Sequence, residues 1–285
     1  MIVTWLKSIL MFSVMMFPLS AFAQLERVLD NPNRPVDDIF KAPKVIGLNS
    51  VKQIGKNHLH MSILHTFNGS VSGGIDTFFG IDNGANVRLG LDYGISDDLS
   101  VGLGRTSNLK VVDTRIKWTP INQTTKSSPV SVAFLGAVSI ETIPNRFSVD
   151  PQLSDKMGYL AMAMVARKFS DKLSLQVSPM LAYFERPILL PEKTLLGLGI
   201  AGRYKFAGRS AITFETIPIL NKPDVLSLPV AIGYDLETGG HVFQMFFTTS
   251  TFHTENYIMA YNLDPFWDKK PLFRFGFNVN RVFAL

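Results

Sequence analysis

Between Asn86 and Gly104 the chain reads NVRLGLDYGISDDLSVGLG, and its apolar residues fall on every second position. Val87, Leu89, Leu91, Tyr93 and Ile95 alternate with Arg88, Gly90, Asp92 and Gly94. After Ser96-Asp97-Asp98 the alternation resumes with Leu99, Val101 and Leu103. A period of two is the mark of a β-strand, whose successive side chains point to opposite faces. The Ser-Asp-Asp break supplies turn chemistry, so the stretch reads as a tight hairpin. Either a soluble sandwich, with its apolar face in a core, or a membrane barrel, with that face in lipid, accommodates such a hairpin.

The same pattern recurs along the chain. Strands are expected at 56–66, 85–95, 99–107, 109–119, 129–141, 157–169, 173–184, 194–206, 209–217, 226–237, 241–250 and 271–284. Many have the length of a tilted membrane-spanning strand. Tight connections (96–98, 170–172, 207–209, 237–240) largely alternate with longer ones (67–84, 142–156, 185–193, 218–225, 251–270). The short link at 107–108 and the long one at 120–128 fit that alternation less well. Twelve strands return both chain ends to the short-turn side, as an up-and-down bacterial barrel requires; ten or fourteen are the alternatives. The fold expected is therefore all-β, a transmembrane antiparallel up-and-down β-barrel of about twelve strands.

Aromatic residues favour the membrane. Tyr93, Tyr204 and Tyr234 lie on the apolar face just before tight turns, and Phe169 and Phe206 sit against such turns. Together they read as one interfacial girdle, where amphipathic rings are favoured. The end, RFGFNVNRVFAL, resembles the closing strand recognised by outer-membrane assembly machinery. Phe283 is not its last residue, however, and Arg281 falls in the lipid-facing register, where it can snorkel to the interface.

The first residues set the compartment. Lys7 precedes an apolar run from Ser8 to Pro18, and Ala21-Phe22-Ala23 forms a small-x-small cleavage signature before Gln24, so residues 1–23 read as a secretory signal peptide. Its removal leaves 27 basic against 23 acidic residues, a mild net charge of +4. No Lys/Arg-dense run or nucleic-acid motif is present. Cysteine is absent, which excludes disulfides and thiolate metal sites. Residues 56–285 read as one barrel domain. Residues 24–55, containing NPNRPVDDIFKAPKVIGLN, read as a periplasmic tail, an extra strand or a plug folded into the lumen.

DTFFGIDNGANVRLGLDYGISDDLSVGLGRTS, from Asp76 to Ser107, and HTFNG before it resemble an uncharacterised family of outer-membrane β-barrels common in the Bacteroidetes group. The resemblance covers most of the mature chain and is strongest from about Phe40 to Pro129. It implies an outer-membrane barrel and brings no substrate or functional residue. Thr66 stands where the family usually carries a basic residue after His65.

If the greasy register faces lipid, the lumen receives the cations Arg88, Arg115, Lys117, Arg203, Lys205 and Arg274. Its anions are Asp92, Asp113, Glu215 and Asp235. Gln176, Gln244, Asn278 and Asn280 add amides, and His58, His60 and Ser62 line the first strand. A mixed lining of this kind suits either a narrow pore or charges that pair across the lumen and fill it.

The one candidate catalytic pair is His60 and Ser62, at the i, i+2 spacing that allows a base to reach a nucleophile. Outer-membrane phospholipases use a His-x-Ser arrangement of this kind, but theirs faces lipid and no Ser-Asn-Gly follows here. No metal or cofactor is expected. The leading functional expectation is a narrow outer-membrane channel for small polar or anionic solutes in a Gram-negative bacterium. A lipid-modifying hydrolase using His60 and Ser62 is one alternative. The other is a non-transporting barrel whose loops bind outside the cell through Phe78, Phe79, Tyr257, Phe266 and Trp267. Expected partners are outer-membrane lipid, lipopolysaccharide and the assembly machinery.

Overall fold

Twelve antiparallel strands close into one barrel in a computed structural model that describes residues 33–144, 151–187, 189–265 and 272–285. They are β1 (His58–Phe67), β2 (Ala85–Gly94), β3 (Leu99–Thr106), β4 (Val111–Ile121), β5 (Ser131–Glu141) and β6 (Met157–Lys168), followed by β7 (Leu173–Phe184), β8 (Thr194–Ala207), β9 (Ser210–Thr216), β10 (Val230–Thr238), β11 (His241–Thr248) and β12 (Arg274–Ala284). Each strand pairs with its neighbours in sequence, and β1 pairs with β12 from His58↔Ala284 to Thr66↔Gly276, so no strand edge is left open. Closure satisfies the backbone groups that hydrocarbon cannot. The signal-peptide reading of residues 1–23 lies outside the described residues.

Alternation sets the register. On β2 and β3, Leu89, Leu91, Val101 and Leu103 are exposed on the outer wall, while Arg88, Asp92, Ser100 and Thr106 are buried inside. The strand expected from residue 226 begins instead at Val230. Pro229 lacks the N–H a ladder needs, and Leu226 turns into the core. On β4 the register shifts between Trp118 and Ile121, around Pro120.

Rings mark both rims of the outer wall. At the short-turn rim Tyr204 and Phe206 are exposed, and Phe206 and Tyr234 stand 6.2 Å apart. Tyr93 donates its hydroxyl to Asn57 at 3.2 Å, and Arg167 lies over Phe169. Trp118 and Phe134 also stack near this rim. At the opposite rim, Phe67, Phe275 and Phe247 form a second cluster, and Tyr159 faces Tyr183 at 6.0 Å.

The core lies inside the barrel. The inner faces of β5 to β8 carry most of its apolar side chains, with Leu135, Leu160, Met162, Met164, Met180 and Leu195 almost fully buried. What they pack against comes from the two ends. The segment leading into β1 enters at the β4–β5 turn, where Pro35 bridges Thr124 and Val36 donates to the Gln123 carbonyl. It dips into the lumen and returns to the same rim at Gly55, whose carbonyl presses against the bare face of Gly94. From the long-loop side residues 249–262 fold inward and include a short helix, α1 (Glu255–Tyr261), buried from Glu255 to Ala260. Tyr257 is therefore no surface contact: it is 1% exposed and meets Phe184 edge to face at 5.4 Å. Phe78 and Phe79 do face outward from the 67–84 loop, whereas Phe266 and Trp267 lie outside the described residues.

Candidate functional site

The lumen carries the site. The N-terminal segment turns back on itself at residues 43–50: Val45 N–H reaches the Leu48 carbonyl and Ser50 N–H the Pro43 carbonyl, both at 2.8 Å. This small hairpin pairs with no strand of the barrel. Its main chain is held by wall side chains instead. Glu215 on β9 accepts the N–H groups of Ile46, Gly47 and Leu48 at 3.0, 2.8 and 3.0 Å. Gln176 on β7 accepts from Val51 N–H at 3.0 Å and donates to the Asn49 carbonyl at 2.7 Å. Gln244 on β11 donates to the Val45 carbonyl at 2.5 Å, and Asn278 on β12 to that of Ile46 at 3.0 Å. Lys117 on β4 donates to the carbonyls of Ser50 and Lys52.

Burying a main-chain turn without partners would cost the full desolvation of each group, so these wall residues are what makes the lumen a tolerable place for it. Shape completes the fit. A side chain on Gly47 would strike Ile258 at 2.8 Å and Glu215 at 3.2 Å, while bare Gly199 on β8 leaves room for Leu48.

A second set of charges lies flat against the inner wall of β1 to β4. Arg88 grips Asp113 through two bonds, at 2.6 and 3.0 Å. Arg115 reaches Asp92 at 2.5 Å and Asp113 at 3.0 Å. His60 contacts Asp92 at 3.0 Å through Nδ1 and Asn280 at 3.2 Å through Nε2. The glycines of the VGLG stretch at 101–104 explain how such groups fit: Gly102 lies under Asp92 and Arg115, and Gly104 under the Arg88 guanidinium. His60 and Ser62 are both buried on the lumen side, and the ring nitrogens of His60 are turned to Asp92 and Asn280.

The remaining lumen candidates are placed elsewhere. Asp235 accepts from Gln244 at 3.1 Å behind the cradle. Arg203 pairs with Glu237 at 2.6 Å close to the short-turn rim, where Lys41 of the inward segment joins it at 3.0 Å. Lys205 is half-buried at that rim. Arg274 ties the opposite rim, bonding Asp264 and the carbonyls of Asn68 and Thr249.

The residues that close the lumen from the far side were not legible as site residues. Glu255 at the start of α1 accepts from Asn49 main chain and side chain, each at 2.6 Å, and from Lys44 at 3.2 Å. A signal did exist: Tyr257, Ile258 and Met259 form an apolar run in a loop otherwise expected in water. Likewise β6, MGYLAMAMVARK, is apolar on both faces, as a strand between lipid and a filled lumen must be. The described cavities between hairpin, α1 and wall hold only about 10 to 20 Å³, room for roughly one water each.

A model of the family described as "Membrane bound beta barrel domain (DUF5777)" matches residues 40–283. The chain belongs to that family. The match begins within the inward segment, so the hairpin lies inside the DUF5777 domain along with all twelve strands. Among solved structures, this family member is similar to the NanC porin, with 6% identity over 80% of this chain and 99% of the other and a TM-score of 0.49. It is similar to the KdgM porin, at 9% identity over 80% and 99% with a TM-score of 0.47. The COG4313 outer membrane channel from Pseudomonas putida F1 is 11% identical over 81% and 97%, with a TM-score of 0.46. Among curated protein sequences none matches the chain.

Proposed function

We propose that the protein is an outer-membrane channel for small polar or anionic solutes, held shut by its own N-terminal hairpin and by α1. In this reading the short-turn rim faces the periplasm, the outer wall contacts lipid and lipopolysaccharide, and assembly machinery inserts the chain after export. One observation carries it: the hairpin enters and leaves by the same rim and joins no strand of the barrel. It can therefore withdraw without breaking a single strand pair. The wall groups it would release are polar, among them Lys117, Gln176, Gln244 and Asn278. Lys117, released from the Ser50 and Lys52 carbonyls, then offers its positive charge to an anion.

Planar-bilayer recording tests this reading. The wild-type barrel gives rare conductance steps, and Gln176→Ala combined with Glu215→Ala gives frequent ones. A double variant that is folded, inserted and silent contradicts it.

A further inference from the structure

We propose that the lumen is a binding site for a peptide turn, with the hairpin as its built-in occupant. The inference rests on the reading that the hairpin can leave the lumen, and it names the class of molecule that can take its place.

The chemistry of the wall is that of main-chain recognition. Five wall residues on β4, β7, β9, β11 and β12 make nine bonds to the hairpin and the two residues after it, and every one ends on a backbone N–H or C=O. Gln176 accepts from residue 51 and donates to residue 49, the i, i+2 spacing at which a neighbouring strand would bond that edge. Its carboxamide stands in for a strand residue. Glu215 gathers three consecutive N–H groups, which a free sugar or simple anion does not offer.

Side-chain selection falls on the turn and on the apolar residues beside it, Val45, Ile46 and Val51, which are buried in the lumen. Gly47 must be bare, because Ile258 and Glu215 occupy the space beside it, and Leu48 enters the space above Gly199. Lys44 and Asn49 are the polar side chains read by Glu255. A peptide carrying an apolar-Gly-apolar turn, with apolar residues at the places of Val45 and Val51, thus satisfies both the main-chain partners and the apolar part of the wall.

The test uses the full chain carrying Gly47→Val, which drives its own hairpin from the site while leaving the wall unchanged. Gly47→Ala, the smallest change that introduces the same contact, serves where the valine variant does not fold. A fluorescent peptide of residues 38–54 is followed by anisotropy in detergent. It binds the variant, and binds the wild type at least about tenfold more weakly because the site is filled. N-methylation at Gly47 and Val51 of the peptide, which removes two of the recognised N–H groups, weakens binding by at least about tenfold. Replacing the peptide's half-buried Lys52 side chain by alanine changes binding by less than about threefold, within the spread of one modest contact. Equal binding of the methylated peptide, or no binding to either folded variant, overturns the proposal. Conductance of the same variant is recorded separately: peptide binding by a silent barrel refutes the channel and keeps the peptide site, and an open barrel that ignores the peptide does the reverse.

Discussion

Glu255 and Lys44 meet at 3.2 Å in the middle of the barrel, although they enter it from opposite rims. Glu255 opens α1, which descends from the long-loop side, and Lys44 sits on the hairpin that rises from the short-turn side. The carboxylate also takes two bonds from Asn49, so one side chain joins the two closures. Both partners are nearly inaccessible, at 7% and 3% side-chain exposure, and removing one leaves the other charge buried. Such an uncompensated charge costs about 3–5 kcal/mol. Glu255→Ala is expected to loosen hairpin and helix together. Thiol labelling of Ser50→Cys in this cysteine-free chain rises sharply in that background, and unchanged labelling shows that the contact does not hold the closure.

The wall cluster has a separate role. Arg88 is fully buried and held by Asp113 through paired bonds. Asp113→Ala strands that guanidinium and is expected to lower stability by about 3–5 kcal/mol. Urea unfolding of the purified barrel in lipid, followed by tryptophan fluorescence, measures this. A loss below about 1 kcal/mol, the worth of an exposed pair, shows that the cluster is solvated.

Leu103 tests the outer wall. It is 56% exposed and pairs with Leu91 midway along β2 and β3. Arginine here faces hydrocarbon and costs about 2–4 kcal/mol at the bilayer midplane, less near an interface. The same urea assay is expected to show that loss for Leu103→Arg, and no loss for the change to isoleucine. An arginine variant as stable as the parent places this face in water.

Acid is expected to loosen the long-loop closure. His253, just before α1, is buried and bonds the Asn86 carbonyl at 3.1 Å. Burial pushes its imidazole pKa down to about 3, with Arg88, Lys44 and His65 acting in the same direction. The unfolded loop thus takes up a proton that the folded loop refuses, so stability falls as pH drops below about 6.5 and continues to fall toward 3. Open probability in bilayers is expected to rise between pH 7 and pH 5, and His253→Asn to remove most of that rise. Identical pH profiles for parent and variant contradict this assignment.

Alternation made the barrel legible, because lipid outside and polar groups inside give each strand two unlike faces. Leu89 and Leu91 against Arg88 and Asp92 are enough to set the register of β2. Where the lumen is apolar the signal changes form: Met162 and Met164 face in while Tyr159 and Val165 face out, so β6 is hydrophobic throughout. The hairpin has no period to read, since its Ile46-Gly47-Leu48 turn is held by side chains from remote strands rather than by a ladder. Glu215 could be placed inside from register, but its partners depend on where an irregular segment goes. Glu255 was hidden for the same reason: α1 is seven residues long, and its packing in the core, with Tyr257 against Phe184 and Phe252, explains why it forms.

The central claim is that a displaceable hairpin closes this barrel. Leu48 lies against Gly199 on β8, and the chain has no cysteine of its own, so Leu48→Cys with Gly199→Cys ties the hairpin to the wall by a reversible bond. Bilayer recordings of this one protein are expected to be silent when oxidised and to show conductance steps after a reductant is added. Conductance that is the same in both states, or a folded and reduced barrel that never opens, contradicts the account.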